Sequence, residues 1–235
     1  MTEHPSTEHP TTEHGHGHHS TAPGPEATPE ETERHWEQHY SSREQVWSGR
    51  PNPVLSRLVE PIAPGHALDL GCGEGADAVW LAGRGWTVTA VDVSATALER
   101  ARKLAADTGV EDRVHFERHD LTQTWPAGTF DLVSAQFLQS PLNFPRARVL
   151  RAAAHALAPG GLLLVVDHGS LPPWSPHRHE DVYLPTSQEV FDGIELDAAG
   201  WQVELMDAPQ RTVTGPDGRT ADIVDNVLVV RRVGG

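Results

Sequence analysis

Hydrophobic and polar positions change rhythm twice along this chain. Residues 1–33 hold no leucine, isoleucine, valine or aromatic side chain; the near-repeat Thr-Glu-His-Pro, Thr-Glu-His-Pro, Thr-Glu-His-Gly runs into a Pro/Glu/Thr stretch. Nothing there offsets the entropy of ordering the chain, so a disordered tail is expected. From His35 onward, Trp36, Tyr40, Val46 and Trp47 suit one or two short amphipathic helices, Pro51-Asn52-Pro53 breaks them, and Val54 to Val59 resumes. Residues 34–65 therefore read as a helical cap on the body. From Ala67, short apolar runs alternate with longer amphipathic segments, the pattern of βαβ units. Strands are predicted near 67–70, 87–91, 113–117, 130–135, 161–167, 201–206 and 223–231, and helices near 75–83, 95–107, 145–157 and 187–199. The expected class is α/β, a mostly parallel sheet of seven strands with helices on both faces.

Turn and cap chemistry supports these boundaries. Ser94 is placed to cap the second helix, Pro145 suits a first helical turn, and Thr186 with Glu189 has capping-box spacing. Pro159-Gly160-Gly161 is expected to stop a helix and admit the fifth strand. Between the last two strands lies Thr214-Gly215-Pro216-Asp217-Gly218, with no apolar helical period. A parallel crossover needs a helix, so these strands should pair antiparallel as a hairpin.

Charge narrows the function classes. Eighteen Lys and Arg against 33 Asp and Glu give a net charge of −15, which argues against a polynucleotide partner. Seven of the acids and no Lys or Arg fall in residues 1–33, so −15 + 7 leaves −8 on the body. The single cysteine, Cys72, allows neither an internal disulfide nor a multi-thiolate metal site and fits a reducing compartment. No apolar run approaches the roughly 20 residues of a bilayer span, and the polar first twenty residues are unlike a signal peptide, so a cytoplasmic protein without a membrane partner is expected. Six of the 15 histidines crowd the first nineteen positions. His14, His16, His18 and His19 are expected to bind a divalent metal weakly, because a flexible chain must be ordered to do so.

The most informative segment is Ala67-Leu68-Asp69-Leu70-Gly71-Cys72-Gly73-Glu74-Gly75-Ala76. A strand runs into three alternate glycines and out into a helix, a turn that lets a nucleotide-like ligand approach the backbone. Asp92 ends the second strand 21 residues after Gly71, where a carboxylate can accept from both hydroxyls of a ribose. Asp69 precedes the first glycine, where burial would be costly unless a cation or donors meet it. The chain has no Gly-x-x-x-x-Gly-Lys run, which removes the triphosphate-binding P-loop.

These residues resemble the class I S-adenosylmethionine-dependent methyltransferases over roughly 65–235. Leu68-Asp69-Leu70-Gly71-Cys72-Gly73-Glu74-Gly75 is similar to that family's first motif, Val91-Asp92 to its ribose motif, and His119-Asp120-Leu121 to its adenine motif. Phe130-Asp131-Leu132-Val133 resembles its fourth strand and Leu157-Ala158-Pro159-Gly160-Gly161 its lead into the fifth. The resemblance implies a Rossmann-like fold with a C-terminal antiparallel hairpin and S-adenosylmethionine as cofactor. By the same resemblance Asp69, Gly71, Cys72, Gly73 and Gly75 would hold the methionine portion, Asp92 with Val93 the ribose, Asp120 and Leu121 the adenine, and Gln136 would lie near the sulfonium. The cap, from His35 to Asn52, resembles the small-molecule branch with tellurite-resistance and thiopurine-type enzymes, which implies a thiol or chalcogen acceptor.

A methyl donor arrives activated, so alignment, exclusion of water and, for a protic acceptor, proton removal are the tasks left to the protein. His168 and Asp167, at the carboxyl end of the fifth strand, are the candidate bases. Phe137 and Gln139 are placed to face a small-molecule substrate, Trp36, Tyr40 and Trp47 to close over it, and Arg178, in a proline-rich insert, to bind an anion. The competing enzyme class is an NAD(P)-dependent oxidoreductase, since Gly71-x-Gly73-x-x-Ala76 also satisfies the permissive dinucleotide pattern. Against it stand the charge of Asp69 beside a pyrophosphate and the lack of a Ser/Tyr/Lys catalytic set, Lys103 being the only lysine.

Overall fold

The computed structural model describes residues 24–175, 183–215 and 217–234. The four tail histidines and Arg178 lie outside the described residues, as do residues 1–23 of the tail.

Within 24–33 the chain is ordered, contrary to the reading of 1–33 as one disordered tail. Helix α1 spans Pro29–Ser41 and opens on a capping box. The Thr28 hydroxyl accepts from the Glu31 N–H at 3.2 Å, and the Glu31 carboxylate accepts from the Thr28 N–H at 2.8 Å. Glu26 pairs with Arg148 at 2.8 Å and Glu33 with Arg118 at 2.5 Å. Local capping and tertiary ion pairs thus order a segment without leucine, isoleucine, valine or aromatic residues. A second cap helix, α2 (Pro53–Val59), starts on Asn52, whose side chain accepts from the Val54 N–H at 2.8 Å.

The body follows the predicted alternation: β1 His66–Leu70, α3 Ala76–Gly83, β2 Thr87–Asp92, α4 Ala95–Thr108, β3 Val114–Arg118, β4 Phe130–Gln136, α5 Arg146–His155, β5 Leu157–His168, α6 Ser187–Ile194, β6 Trp201–Asp207, β7 Gln210–Thr214 and β8 Thr220–Arg232. The sheet order is β3-β2-β1-β4-β5-β8-β6, with β7 paired to β8 alone. The first five strands are parallel, and β8 runs antiparallel between β5 and β6. Chain order reverses between β1 and β4, the switch point outside whose carboxyl ends such sheets bind ligands.

Three expectations are corrected. There are eight strands among the described residues, because Gln210–Thr214 adds β7. The Gly215–Gly218 turn therefore closes a β7–β8 hairpin, while β6, as expected, pairs antiparallel with β8. The fifth strand starts at Leu157: Phe130 pairs with Leu157 and the next pair is Leu132–Leu162, so Pro159-Gly160 lies in an irregularity within β5 rather than ahead of it. Helix α6 stops at Ile194, where Glu195 takes a left-handed backbone with φ 54°.

Two apolar layers hold the sheet. Leu68, Leu70, Val133, Leu163 and Val165 pack with Val149, Leu150 and Ala153 of α5 on one face, and Ala67, Val88, Leu132, Leu164 and Val166 pack with Leu81, Leu55 and Trp86 on the other. Central strands covered on both faces read as continuous apolar runs.

Candidate functional site

The glycine loop after β1 is held by its own backbone and by β2. The Cys72 N–H donates to Val91 O at 2.9 Å and the Gly75 N–H to Cys72 O at 2.9 Å. Gly73 adopts φ 53°, and a Cβ there would stand 2.8 Å from the Tyr40 hydroxyl and 3.3 Å from Trp47 Nε1. Gly75, at φ 84°, would drive a Cβ to 2.7 Å from Ala101. Both positions thus require glycine twice over, for backbone and for space. Asp92 closes the arrangement: one carboxylate oxygen accepts from the Gly73 N–H and the other from the Ser94 N–H, each at 2.9 Å.

Cap and loop are joined through carboxylates that sequence reasoning missed. Glu74 accepts from the Val46 and Trp47 N–H groups, the latter at 3.0 Å, and from Arg100 at 2.8 Å. Asp77 accepts from the Asn52 N–H at 2.6 Å. Glu37 of α1 caps α4 by accepting from the hydroxyls of Ser94 and Thr96. The one legible signal was a glutamate inside a glycine turn. Tyr40, 4% exposed, accepts from Trp47 Nε1 at 3.1 Å, so two predicted substrate aromatics brace each other over the loop.

Above the switch point these elements enclose a cavity of about 600 Å³. It gathers every sequence-predicted cofactor residue: Asp69, Gly71, Cys72, Gly73, Gly75, Asp92, Val93, Asp120, Leu121 and Gln136. Trp36, Tyr40, Trp47, Phe137, Gln139 and His168 also line it. Asp167 does not: it is 1% exposed, and both its oxygens take the Arg146 guanidinium, at 2.6 and 2.7 Å. That pair positions the end of β5 and leaves no free carboxylate to act as a base. Arg211 of β7 joins the lining unforeseen, because its strand was not predicted.

Buried acceptors in this cavity lack partners. Asp69 Oδ2, Asp120 Oδ2, Gln136 Oε1 and His168 Nδ1 are each shielded from solvent and have no hydrogen-bond partner among the described residues. Asp120 uses its other oxygen on the Thr122 N–H and hydroxyl, at 2.9 and 2.8 Å. Burial pushes the Asp69 carboxyl well above the usual range, and the charges of Asp77 and Asp92 add to it. Burial also raises Asp92, against its backbone hydrogen bonds, and takes Asp77 to about 6. Burial and the neighbouring Asp92 and Asp69 raise the Cys72 thiol, which keeps it neutral. Unpartnered buried carboxylates are costly, and a ligand bearing cationic and N–H groups would satisfy them.

Residues 67–161 match the methyltransferase-domain family. Over 176 residues the chain is 30% identical to probable thiol methyltransferase 2 of Arabidopsis thaliana, covering 70% of this chain and 77% of that one. The chain belongs to the class I S-adenosylmethionine-dependent methyltransferases. It is 35% identical over 134 residues to the 2-heptyl-1-hydroxyquinolin-4(1H)-one methyltransferase of Mycobacteroides abscessus, covering 54% of this chain and 58% of the relative. A structure described for the conversion of a disulfide bond into a thioacetal group during echinomycin biosynthesis superposes with a TM-score of 0.65 at 26% identity, covering 86% of this chain and 91% of the other. The chain spans 39, 58 and 49% of the length of three of the curated relatives it matches. Membership sets aside the nicotinamide-dependent oxidoreductase.

The residues of this methyltransferase fit S-adenosylmethionine. Asp120, beside Leu121, and Asp69 each line the cavity with one buried oxygen that has no partner among the described residues, and Asp92 lines it between them, a donor set suited to a ligand with amino, hydroxyl and cationic groups. Among the described residues, no three His, Cys, Asp or Glu side chains gather as a metal site. No helix among them is long and apolar enough to cross a membrane.

Proposed function

We propose that this chain transfers the sulfonium methyl of S-adenosylmethionine to a small-molecule nucleophile, a thiol or a comparably acidic group. One observation carries the reading: buried, unpartnered oxygens of Asp69, Asp120 and Gln136 converge with Asp92 on a single cavity under an aromatic cap. When bound, the cofactor supplies an activated methyl carbon and a neutral thioether leaving group. The protein's share is to orient and to exclude water. Asp92 orders the glycine loop, Asp69 and Asp120 discriminate the two ends of the ligand, and Trp36, Tyr40 and Trp47 cover it.

At the acceptor end, burial lowers the pKa of His168, so its imidazole is neutral at physiological pH. His168 lines the cavity, and its Nδ1, buried and without a partner among the described residues, can accept a proton from a protic acceptor. The thiol methyltransferase relative supports a sulfur acceptor, and the hydroxyquinolone relative supports an acidic oxygen.

Calorimetric titration with S-adenosylhomocysteine tests the reading: a dissociation constant on the order of micromolar is expected. Binding of NAD(H) without binding of the homocysteine would overturn it. A screen with radiolabelled S-adenosylmethionine against thiols, chalcogen oxyanions, phenols and amines then identifies the acceptor.

A further inference from the structure

The acceptor end of the cavity carries a charge arrangement that the cofactor does not need. Arg211 lines it from β7, half-buried, with Nε and Nη2 donating to the two oxygens of Asp225 at 2.5 and 3.2 Å. Asp225 is 1% exposed and lies directly opposite His168 in the β5–β8 register. Opposed residues of an antiparallel pair share one face of the sheet, so Asp225, Arg211 and His168 form one cluster. The side-on grip on Asp225 leaves the Nη1 edge of the guanidinium without a partner among the described residues.

The wall beside this cluster is aromatic. The His168 ring stacks on Phe137 at 4.2 Å with planes 21° apart. Phe137 holds φ 53°, a left-handed backbone disfavoured for a bulky side chain, immediately after β4. Its N–H donates to Val166 O at 2.8 Å, which ties the strained turn to β5. Such strain persists only where the surroundings enforce it, and here it sets a flat ring in the cavity lining at the end of β4.

We propose that this end of the cavity receives a planar aromatic acceptor with an acidic hydroxyl or thiol, held as its anion by Arg211 and stacked beside Phe137 and His168. The inference rests on the proposed methyl transfer and names its acceptor class. As the acceptor binds, its proton passes to Nδ1 of neutral His168, which leaves the anion that Arg211 holds and an imidazolium opposite Asp225 in the β5–β8 register. The freed oxygen or sulfur lone pair forms the bond to the methyl carbon as the carbon–sulfur bond breaks, its electron pair staying on the sulfur of the departing S-adenosylhomocysteine. Arg211 and Asp225 act as a unit: the buried carboxylate fixes the guanidinium, and the guanidinium selects the anion.

The test uses the full chain saturated with S-adenosylhomocysteine and titrated, under mildly alkaline conditions, with 4-nitrophenolate or with 4-nitroanisole, the same ring without an ionisable group. The phenolate is expected to bind about tenfold tighter or better, the scale of a charge-assisted hydrogen bond. The double variant Arg211→Gln/Asp225→Asn, which leaves no buried charge behind, is expected to abolish that preference while affinity for the homocysteine changes less than about twofold. Arg211→Lys is expected to retain part of the preference. Equal binding of the two probes, no phenolate binding to protein that binds the homocysteine, or an unchanged preference in the double variant would each overturn the proposal. Failure of the unaltered chain to bind S-adenosylhomocysteine would instead sink the proposed function.

Discussion

At the scale of single residues, the carboxylates of the cavity divide by what their partners leave free. Asp92 gives one lone pair of each oxygen to the Gly73 and Ser94 N–H groups, so it shapes the loop as much as it meets a ligand. Asp92→Ala is expected to weaken S-adenosylhomocysteine binding at least about tenfold in a calorimetric titration, since charge-assisted hydrogen bonds contribute on the order of 1.5–3 kcal/mol. Unchanged affinity would show that the loop holds without it. Asp167 illustrates the opposite case, a carboxylate whose position suggested chemistry and whose partner removes it from the cavity. Arg146→Met would leave that charge buried alone, at a cost of about 3–5 kcal/mol in denaturant unfolding. Arg146→Met/Asp167→Leu should recover much of the loss; a single variant as stable as the parent would contradict the pairing.

At the scale of elements, α1 belongs to the body. Its capping box precedes the first aromatic residue, and Glu37, Tyr40 and the Glu33–Arg118 pair attach it to α4, Trp47 of the cap and β3. Deleting residues 1–33 is therefore expected to lower the melting midpoint and weaken S-adenosylhomocysteine binding, whereas deleting 1–23 leaves both unchanged. If the two truncations behave alike, α1 contributes nothing through its first turn. Thr28→Ala isolates the cap alone and should cost about 1 kcal/mol. The same scale explains a miss: apolar periodicity announced α3 through α6, but β7 alternates Arg211 and Val213 with polar neighbours over five residues. So short an edge strand has no pattern to distinguish it from a turn-rich linker, and Arg211 was hidden with it.

At the scale of the whole molecule, the negative charge concentrated around the glycine loop makes cofactor binding a proton-linked event. Burial raises Asp69 and Asp92 and takes Asp77 to about 6, so the folded, ligand-free protein holds protons that an unfolded chain gives up near pH 4. A carboxylate with a raised folded-state pKa adds stability below its unfolded value and loses it as pH rises. Unfolding experiments should accordingly show stability falling from about pH 4 through about pH 6. A cation in the cavity favours the ionised carboxylates, which reverses the direction for the complex. Binding of S-adenosylmethionine at about pH 6 should release protons, seen as a dependence of the binding heat on buffer ionisation enthalpy, and be tighter at pH 7 than at pH 5. Proton uptake, or tighter binding at the lower pH, would disprove the linkage.

Local chemistry by itself determined the alternation of β1 to α6, the glycine turn, the Ser94 and Thr186 caps and the residues proposed for the cofactor, because each rests on neighbours within a few positions in the chain. Asp69, Gly73, Asp92 and Asp120 were readable for that reason: one turn and three strand ends carry them. Only the tertiary structure decided the insertion of β8 between β5 and β6, the ordering of residues 24–33, the retreat of Asp167 onto Arg146 and the arrival of Arg211 beside His168. Those outcomes depend on pairings between segments dozens of residues apart, and in a sheet such pairings are set by which apolar faces can be buried together, a property of the assembled core that no local window contains.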